Sequence, residues 1–247
     1  MKYLSQLLLA ISLSIFILSC ESGQKELYDE AAINSLDSLT QTIGRLHSVS
    51  LTINVQSDKF ENGELISKFS QSDVYMRDSN RMYIYTDNEL FRKGFWYDGK
   101  QLATLLYNEN QYDIIDVPNT IIAMIDSTHN HFKLDFPAAD FFYPTLTDDL
   151  INHFDTIVAL GQRQIMKTSY TEINATNANL DVYILIDPNT KLPKQLEIYY
   201  LGERKGEKYI ATFSNWRTNP HLPESLFMFT PPKDATKETI IVKKQTS

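Results

Sequence analysis

The chain has 247 residues, of which 43% are hydrophobic and 12% aromatic, and its formal net charge is −8. A surface this acidic repels phosphate backbones, and no Lys/Arg cluster overrides the average, so nucleic acid is excluded as a partner. The single cysteine, Cys20, rules out an internal disulfide and a Cys-based zinc site.

At the start of the chain Lys2 precedes an uncharged stretch from Leu7 to Leu18, and the greasy run ends on Cys20. This is the layout of a bacterial secretory signal peptide. The stretch is shorter than the roughly 20 residues that a spanning helix needs, so removal is expected and a permanent transmembrane segment is not. Ile17-Leu18-Ser19-Cys20 resembles the lipobox of bacterial lipoproteins, in which a peptidase cuts before the cysteine and its sulfur carries a diacylglycerol. That resemblance implies lipidation at Cys20, where each buried acyl methylene adds about 0.8 kcal/mol of membrane attachment. The expected organisation is a signal peptide over 1–19, a lipidated N-terminus and tether over 20–26, and a single domain over 27–247.

From Glu26 to His47, Leu27, Ala31, Leu36, Leu39, Ile43 and Leu46 recur at three- to five-residue steps, which predicts one amphipathic helix. From Val49 the period becomes two: Val49, Leu51, Ile53 and Val55 alternate with Ser50, Thr52, Asn54 and Gln56. Turn signals such as "ENGE", "RDSN", "TDNE", "YDGK" and "YNENQ" then separate strands near 49–58, 64–76, 80–86, 91–97, 102–107 and 111–116. After Pro118 the alternation breaks, and helix-start signals at Asn119 and Thr147 predict two or three short helices between 119 and 152. Five further strands follow near 154–161, 164–173, 180–186, 194–201 and 207–217.

About eleven antiparallel strands accumulate too much twist to stay flat. The expected class is therefore mainly β with helices (α+β): a curled antiparallel half-barrel, with the N-terminal helix and the inserted helices covering its concave face.

Catalytic signals are sparse, since no G-x-S-x-G elbow, phosphate-cradling loop, H-E-x-x-H or G-x-G-x-x-G occurs. His129 and His131, with Asp126 or Asp135, are too loosely spaced for a zinc motif. Asp148 and Asp149 follow Thr147, where a helix macrodipole favours negative charge. No enzyme activity, metal or cofactor is expected.

The stretches "FWYDGKQLATLLYNENQYDIIDVPNTI" (95–121), "FPAADFFY" (136–143), "NTKLPKQLEIYY" (189–200) and "ATFSNWRTNPHLPESLFMFTPPKDA" (211–235) carry a resemblance. Over about 27 to 236 the chain is similar to a family of predicted periplasmic proteins of unknown function. That family lies within the superfamily of bacterial lipoprotein carriers of the LolA/LolB type. The resemblance implies an open half-barrel whose helix-capped concave face holds an apolar cavity for acyl chains or similar ligands, and an anchored Cys20 looks like the receptor arrangement.

The expected lining comes from the more apolar strand faces: Leu51, Ile53, Ile84, Phe95, Tyr97, Leu196, Ile198, Tyr200, Tyr209 and Phe213. The competing reading of each is plain core. The functional expectation is a membrane-anchored envelope lipoprotein, periplasm-facing at the outer membrane, that binds or transfers a lipid or acylated ligand without catalysis. The alternative is a lipid-anchored structural or interaction module that meets other envelope proteins and has no ligand cavity. Cys20→Ala is expected to abolish incorporation of labelled fatty acid and to move the protein from the membrane to the soluble envelope fraction. Wild-type protein that never takes up the label overturns the anchor.

Overall fold

The computed structural model describes residues 27–243 except 89 and 133, so the signal sequence and Cys20 lie outside the described residues. In chain order the elements are β1 (Leu27–Tyr28), α1 (Glu30–Gly44), β2 (Ser48–Glu61), β3 (Glu64–Arg77), β4 (Arg81–Asn88), β5 (Arg92–Tyr97), β6 (Gln101–Leu106) and β7 (Gln111–Asp116). There follow α2 (Ile121–His131), a 3-10 helix (Ala139–Phe142), α3 (Leu146–His153), β8 (Thr156–Ile165), β9 (Thr168–Thr176), β10 (Leu180–Ile186), β11 (Pro193–Tyr200), β12 (Lys208–Thr218) and β13 (Thr236–Lys237).

All thirteen described strands join one curled sheet in the order β1, β8, β9, β10, β11, β12, β2, β3, β4, β5, β6, β7, β13. The count is thirteen and not eleven. The two additional strands are two residues long, too short for alternation to reveal, and both pair in parallel at the sheet's edges. The interior ladders are antiparallel, and β2 closes onto β12 through a register that begins at Lys208↔Asp58. Asn62 and Gly63, both at positive φ, form the two-residue hairpin turn between β2 and β3.

Helix boundaries differ from expectation for local reasons. Asp29 caps α1 by accepting from the Ala31 amide at 2.9 Å, and its other oxygen accepts from the Ala159 amide of β8. The helix therefore starts at Glu30 and buries Ala32, Leu36, Leu39 and Ile43, while Leu27 is drawn into β1. Thr120, one residue beyond Asn119, caps α2 by accepting from the Ala123 amide at 3.2 Å. Thr145 stands at the N-cap of α3 and donates to the Asp149 carboxylate at 2.7 Å, whereas Thr147 lies buried inside the first turn. Asp148 and Asp149 occupy that turn, where the helix dipole stabilises them.

One connected apolar cluster contains residues of all three helices and of strands β2 to β6 and β8 to β12. The helices thus pack on one face of the sheet. The opposite face carries a cross-strand aromatic row: Tyr75 on Tyr83 at 5.7 Å and Tyr83 on Trp96 at 5.0 Å. Gly94 lies under the Trp96 ring, and a Cβ there would meet the ring at 2.3 Å, so only glycine admits this rotamer.

The chain beyond β12 straps this second face. The Arg77 guanidinium donates to the Leu222 carbonyl at 2.8 Å and lies over the fully buried Phe227 ring. Phe229 packs on Trp96 and Tyr112; beyond β13 the chain passes to the helical side, where the Asp113 carboxylate accepts from the amides of Ile240 and Ile241 and Ile241 joins the apolar cluster.

Glu224 accepts from Arg81 at 2.7 Å and also pairs with Arg77, and these bonds hold its carboxyl below the ordinary glutamate range. Its contribution to stability is present above the unfolded value of about 4.3 and disappears as pH falls through the lower folded value. Glu224→Gln is therefore expected to lower Tm at neutral pH, with the gap from wild type closing once both pKa values have been passed in acid. A gap that persists unchanged at the lowest pH removes the ion pairs as its cause.

Candidate functional site

The insertion between β7 and β8 is pinned to the sheet by two aromatic contacts. The Phe136 ring meets Phe95 of β5 edge-on, with centroids 5.3 Å apart, and Phe141 meets Phe213 of β12 likewise at 5.2 Å. Such edge-to-face pairs contribute beyond the area they bury. Between the two pins Ala138 takes a left-handed φ of 50°, uncommon for a residue with a Cβ, and turns the chain into the 3-10 helix. The segment "FPAADFFY" is thus a plug seated on the helix-covered face.

Cavities flank the plug. One of about 530 Å³ lies between the end of α1, the start of α2 and the 3-10 helix, lined by Ile43, Leu46, Val49, Ile121, Phe141 and Phe142 among others. A second of about 660 Å³ is walled by Ile125, Phe136, Leu146, Leu150 and Phe154 but rimmed by Asp126, His129, Asp135, Asp140, Asp149 and His153. A third, of about 340 Å³, opens between the sheet and residues 134–137. Its walls are Val55, Ile84, Phe91, Phe95, Leu134, Phe136, Pro137 and Tyr209, with Ser70, Ser72, Thr86, Lys93 and Asp135 as its polar members.

The ten strand residues expected to line a cleft divide among these settings. Leu51, Ile53, Tyr97, Leu196 and Phe213 are buried in the cluster under the helices. Tyr97 also donates to the Pro118 carbonyl at 2.7 Å, and burial pushes its pKa up to about 12. Phe213, beneath Phe141, borders a separate cavity with Lys194 and Trp216. Ile84, Phe95 and Tyr209 line the 340 Å³ pocket, and burial pushes the Tyr209 hydroxyl up to about 12. Ile198 and Tyr200 are half-buried and border none of the three cavities around the plug; the Arg204 guanidinium covers the Tyr200 ring at 3.5 Å.

Strand periodicity did not point to Leu134, Phe136, Pro137 or Lys93. The first three sit outside any periodic run, but Lys93 carries a readable signal: it is two residues before Phe95 and four before Tyr97, on the same inward register.

In the acidic cavity several of the polar groups already have partners, while burial raises the carboxyl of Asp140 above the ordinary range. His129 Nδ1 lies 2.5 Å from the Asp135 carboxylate, and the Tyr143 hydroxyl donates to Asp126 at 2.7 Å. Among the described residues no group of three or more His, Cys, Asp or Glu is placed to hold a metal ion. His131, at the last position of α2, lines none of the cavities.

The fold and its cavities define a class of curled-sheet proteins with helices over one face. Within it the chain belongs to the family described as predicted periplasmic protein (DUF2092), whose model matches residues 32–241 and so contains all four stretches that carry the sequence resemblance. No curated protein matches the chain. Among solved structures it is similar to an uncharacterized conserved protein from Thermus thermophilus, with 11% identity, 85% of this chain and 99% of that chain covered, and a TM-score of 0.48. It is similar to a LolA superfamily protein from Nitrosomonas europaea, with 11% identity, coverage of 80% and 97%, and a TM-score of 0.37. The MucA/MucB complex of Pseudomonas aeruginosa is matched with 14% identity and a TM-score of 0.46, 81% of this chain covering 61% of that chain. Among the described residues no helix is long and apolar enough to cross a membrane.

Phe141 is 2% exposed, so Phe141→Ala removes a pin and leaves a void. The expected loss is about 3–5 kcal/mol by urea unfolding with strand content retained. A loss under about 1 kcal/mol would mean that the plug is not held by this contact.

Proposed function

We propose that this chain is a lipid-anchored protein of the bacterial envelope, tethered through Cys20 to the outer membrane and facing the periplasm, that binds or transfers a lipid or acylated ligand without catalysis. On this reading the concave side of the sheet is the face the helices cover, and the ligand's apolar part enters the 340 Å³ pocket. The supporting observation is the pocket's wall, in which Val55, Ile84, Phe91, Phe95, Leu134, Phe136, Pro137 and Tyr209 outnumber the polar members. Ligand pockets measure about 300–1,000 Å³ and are mostly apolar with a few placed polar groups, a description this one meets. Each Å² of acyl surface removed from water there contributes about 25 cal/mol. Membership of a predicted periplasmic family is consistent with the compartment.

The second reading, an interaction module without a ligand cavity, draws on the dense packing of Leu51, Ile53, Tyr97, Leu196 and Phe213 beneath the helices.

The two readings separate on one measurement. The soluble part, residues 21–247, contains every described strand and helix and the whole apolar cluster. With that chain, Nile red, a neutral apolar dye, is expected to brighten on titration, and Ser70→Trp, which fills the pocket from its wall, is expected to suppress the signal without lowering Tm. Dye binding that is absent in wild type, or indifferent to Ser70→Trp, overturns the pocket reading.

A further inference from the structure

The 340 Å³ pocket contains one cation whose surroundings set it apart. Lys93 lines the pocket and is half-buried, with its ammonium 4.5 Å above the Phe95 ring. Burial lowers its pKa, because the charged form has lost water without a carboxylate in return. The other half-buried lysines among the described residues have acceptors: Lys208 Nζ lies 3.2 Å from Asp58, and Lys194 Nζ donates to the Phe213 carbonyl at 3.4 Å. Among the described residues Lys93 has no hydrogen-bond acceptor or ion-pair partner, and its recorded contact is the aromatic face. The acid that shares the pocket, Asp135, is engaged by His129.

A ring face compensates an ammonium only in part, and it offers the three N–H donors no protein acceptor. Lys93 thus places a charged head on an aliphatic stem among the apolar residues of the pocket, a pairing that matches an amphiphile's polar head and apolar chain.

Resting on the pocket reading above, we propose that the ligand is an anionic amphiphile, its chain lying against Ile84, Phe95, Phe136 and Tyr209 and its carboxylate or phosphate head accepting from Lys93. The anion supplies the missing acceptor in a charge-assisted hydrogen bond, so the head group confers selectivity and the chain supplies area. Ser70 lines the same pocket, as do Ser72 and Thr86, whose hydroxyls are hydrogen-bonded to each other at 2.9 Å.

The test is displacement of Nile red from the soluble part, residues 21–247, by dodecanoate, dodecyl phosphate and 1-dodecanol. Wild type is expected to prefer one or both anions to the alcohol by about ten- to a hundredfold, the range of a hydrogen bond to a charged group. Lys93→Met, which keeps the stem and removes the charge, is expected to erase that preference while leaving dodecanol within about threefold; Lys93→Arg is expected to retain it. The stronger anion identifies whether a carboxylate or a phosphate is the better head. Dodecanol and both anions bound equally by wild type, or a preference unchanged in Lys93→Met, overturns the head-group assignment and leaves the pocket standing. Failure of all three to displace the dye, or of the dye to bind, overturns the pocket itself.

Discussion

Everything distinctive in this fold follows from a shortage of helix. Eleven long strands at about 4.8 Å spacing make a sheet roughly 50 Å across, and its inward face is apolar. Against it the chain sets helices of 15, 11 and 8 residues, the longest about 22 Å from end to end. Curling reduces the area to be covered but does not bring the two into balance. The plug 136–143 makes up part of the difference with side chains of unusual bulk, Phe136 and Phe141 among them. What remains uncovered is the set of cavities on either side of it, and the 340 Å³ pocket is one of these remainders.

The opposite face solves its own version of the problem without helices. Tyr75, Tyr83 and Trp96 stack across three adjacent strands, and the C-terminal strap lays Phe227 and Phe229 over the same region. Arg77 serves both layers, bonding the strap's backbone through one nitrogen and covering Phe227 with its plane. Further along the sheet Arg163 lies between Glu172 and the almost fully buried Glu197 and over the Tyr183 ring, so there the face is closed by ion pairs together with Tyr183 and Tyr199. Because this face is sealed by its own chain, ligand-sized space concentrates on the helical side.

Much of the sheet was legible in the sequence because alternation is a backbone property: each strand from β2 to β12 sits within a few residues of its predicted span. What alternation could not reveal is anything set by nonlocal partners. β1 and β13 are strands only because β8 and β7 offer them edges. Thr145 and Thr120 cap helices that the neighbouring Thr147 and Asn119 signalled equally well. The site was legible by half: inward register identified Ile84, Phe95 and Tyr209, but it identified Leu51 and Ile53 with equal force, and whether such a residue meets a helix or a void depends on where the plug lands. Phe136, which decides that, lies in a stretch with no period at all.

Closure of the sheet's edges bears on how a partner could engage this protein. An interaction module that works by strand addition needs a free ladder of amides and carbonyls. At one edge β1 pairs with Thr156 and Ile157, Asp29 takes the Ala159 amide, and a bulge at Gly161 then breaks the register. At the other, β13 covers Gln111 and Tyr112, and the Asp113 carboxylate holds the chain that follows. Short covering strands, a bulge and inward carboxylates are the devices by which sheets avoid pairing with a foreign strand. Recognition through the edges is thereby disfavoured, and the helix-covered face, with its unfilled space and its uncompensated Lys93, is where the fold leaves a ligand something to gain.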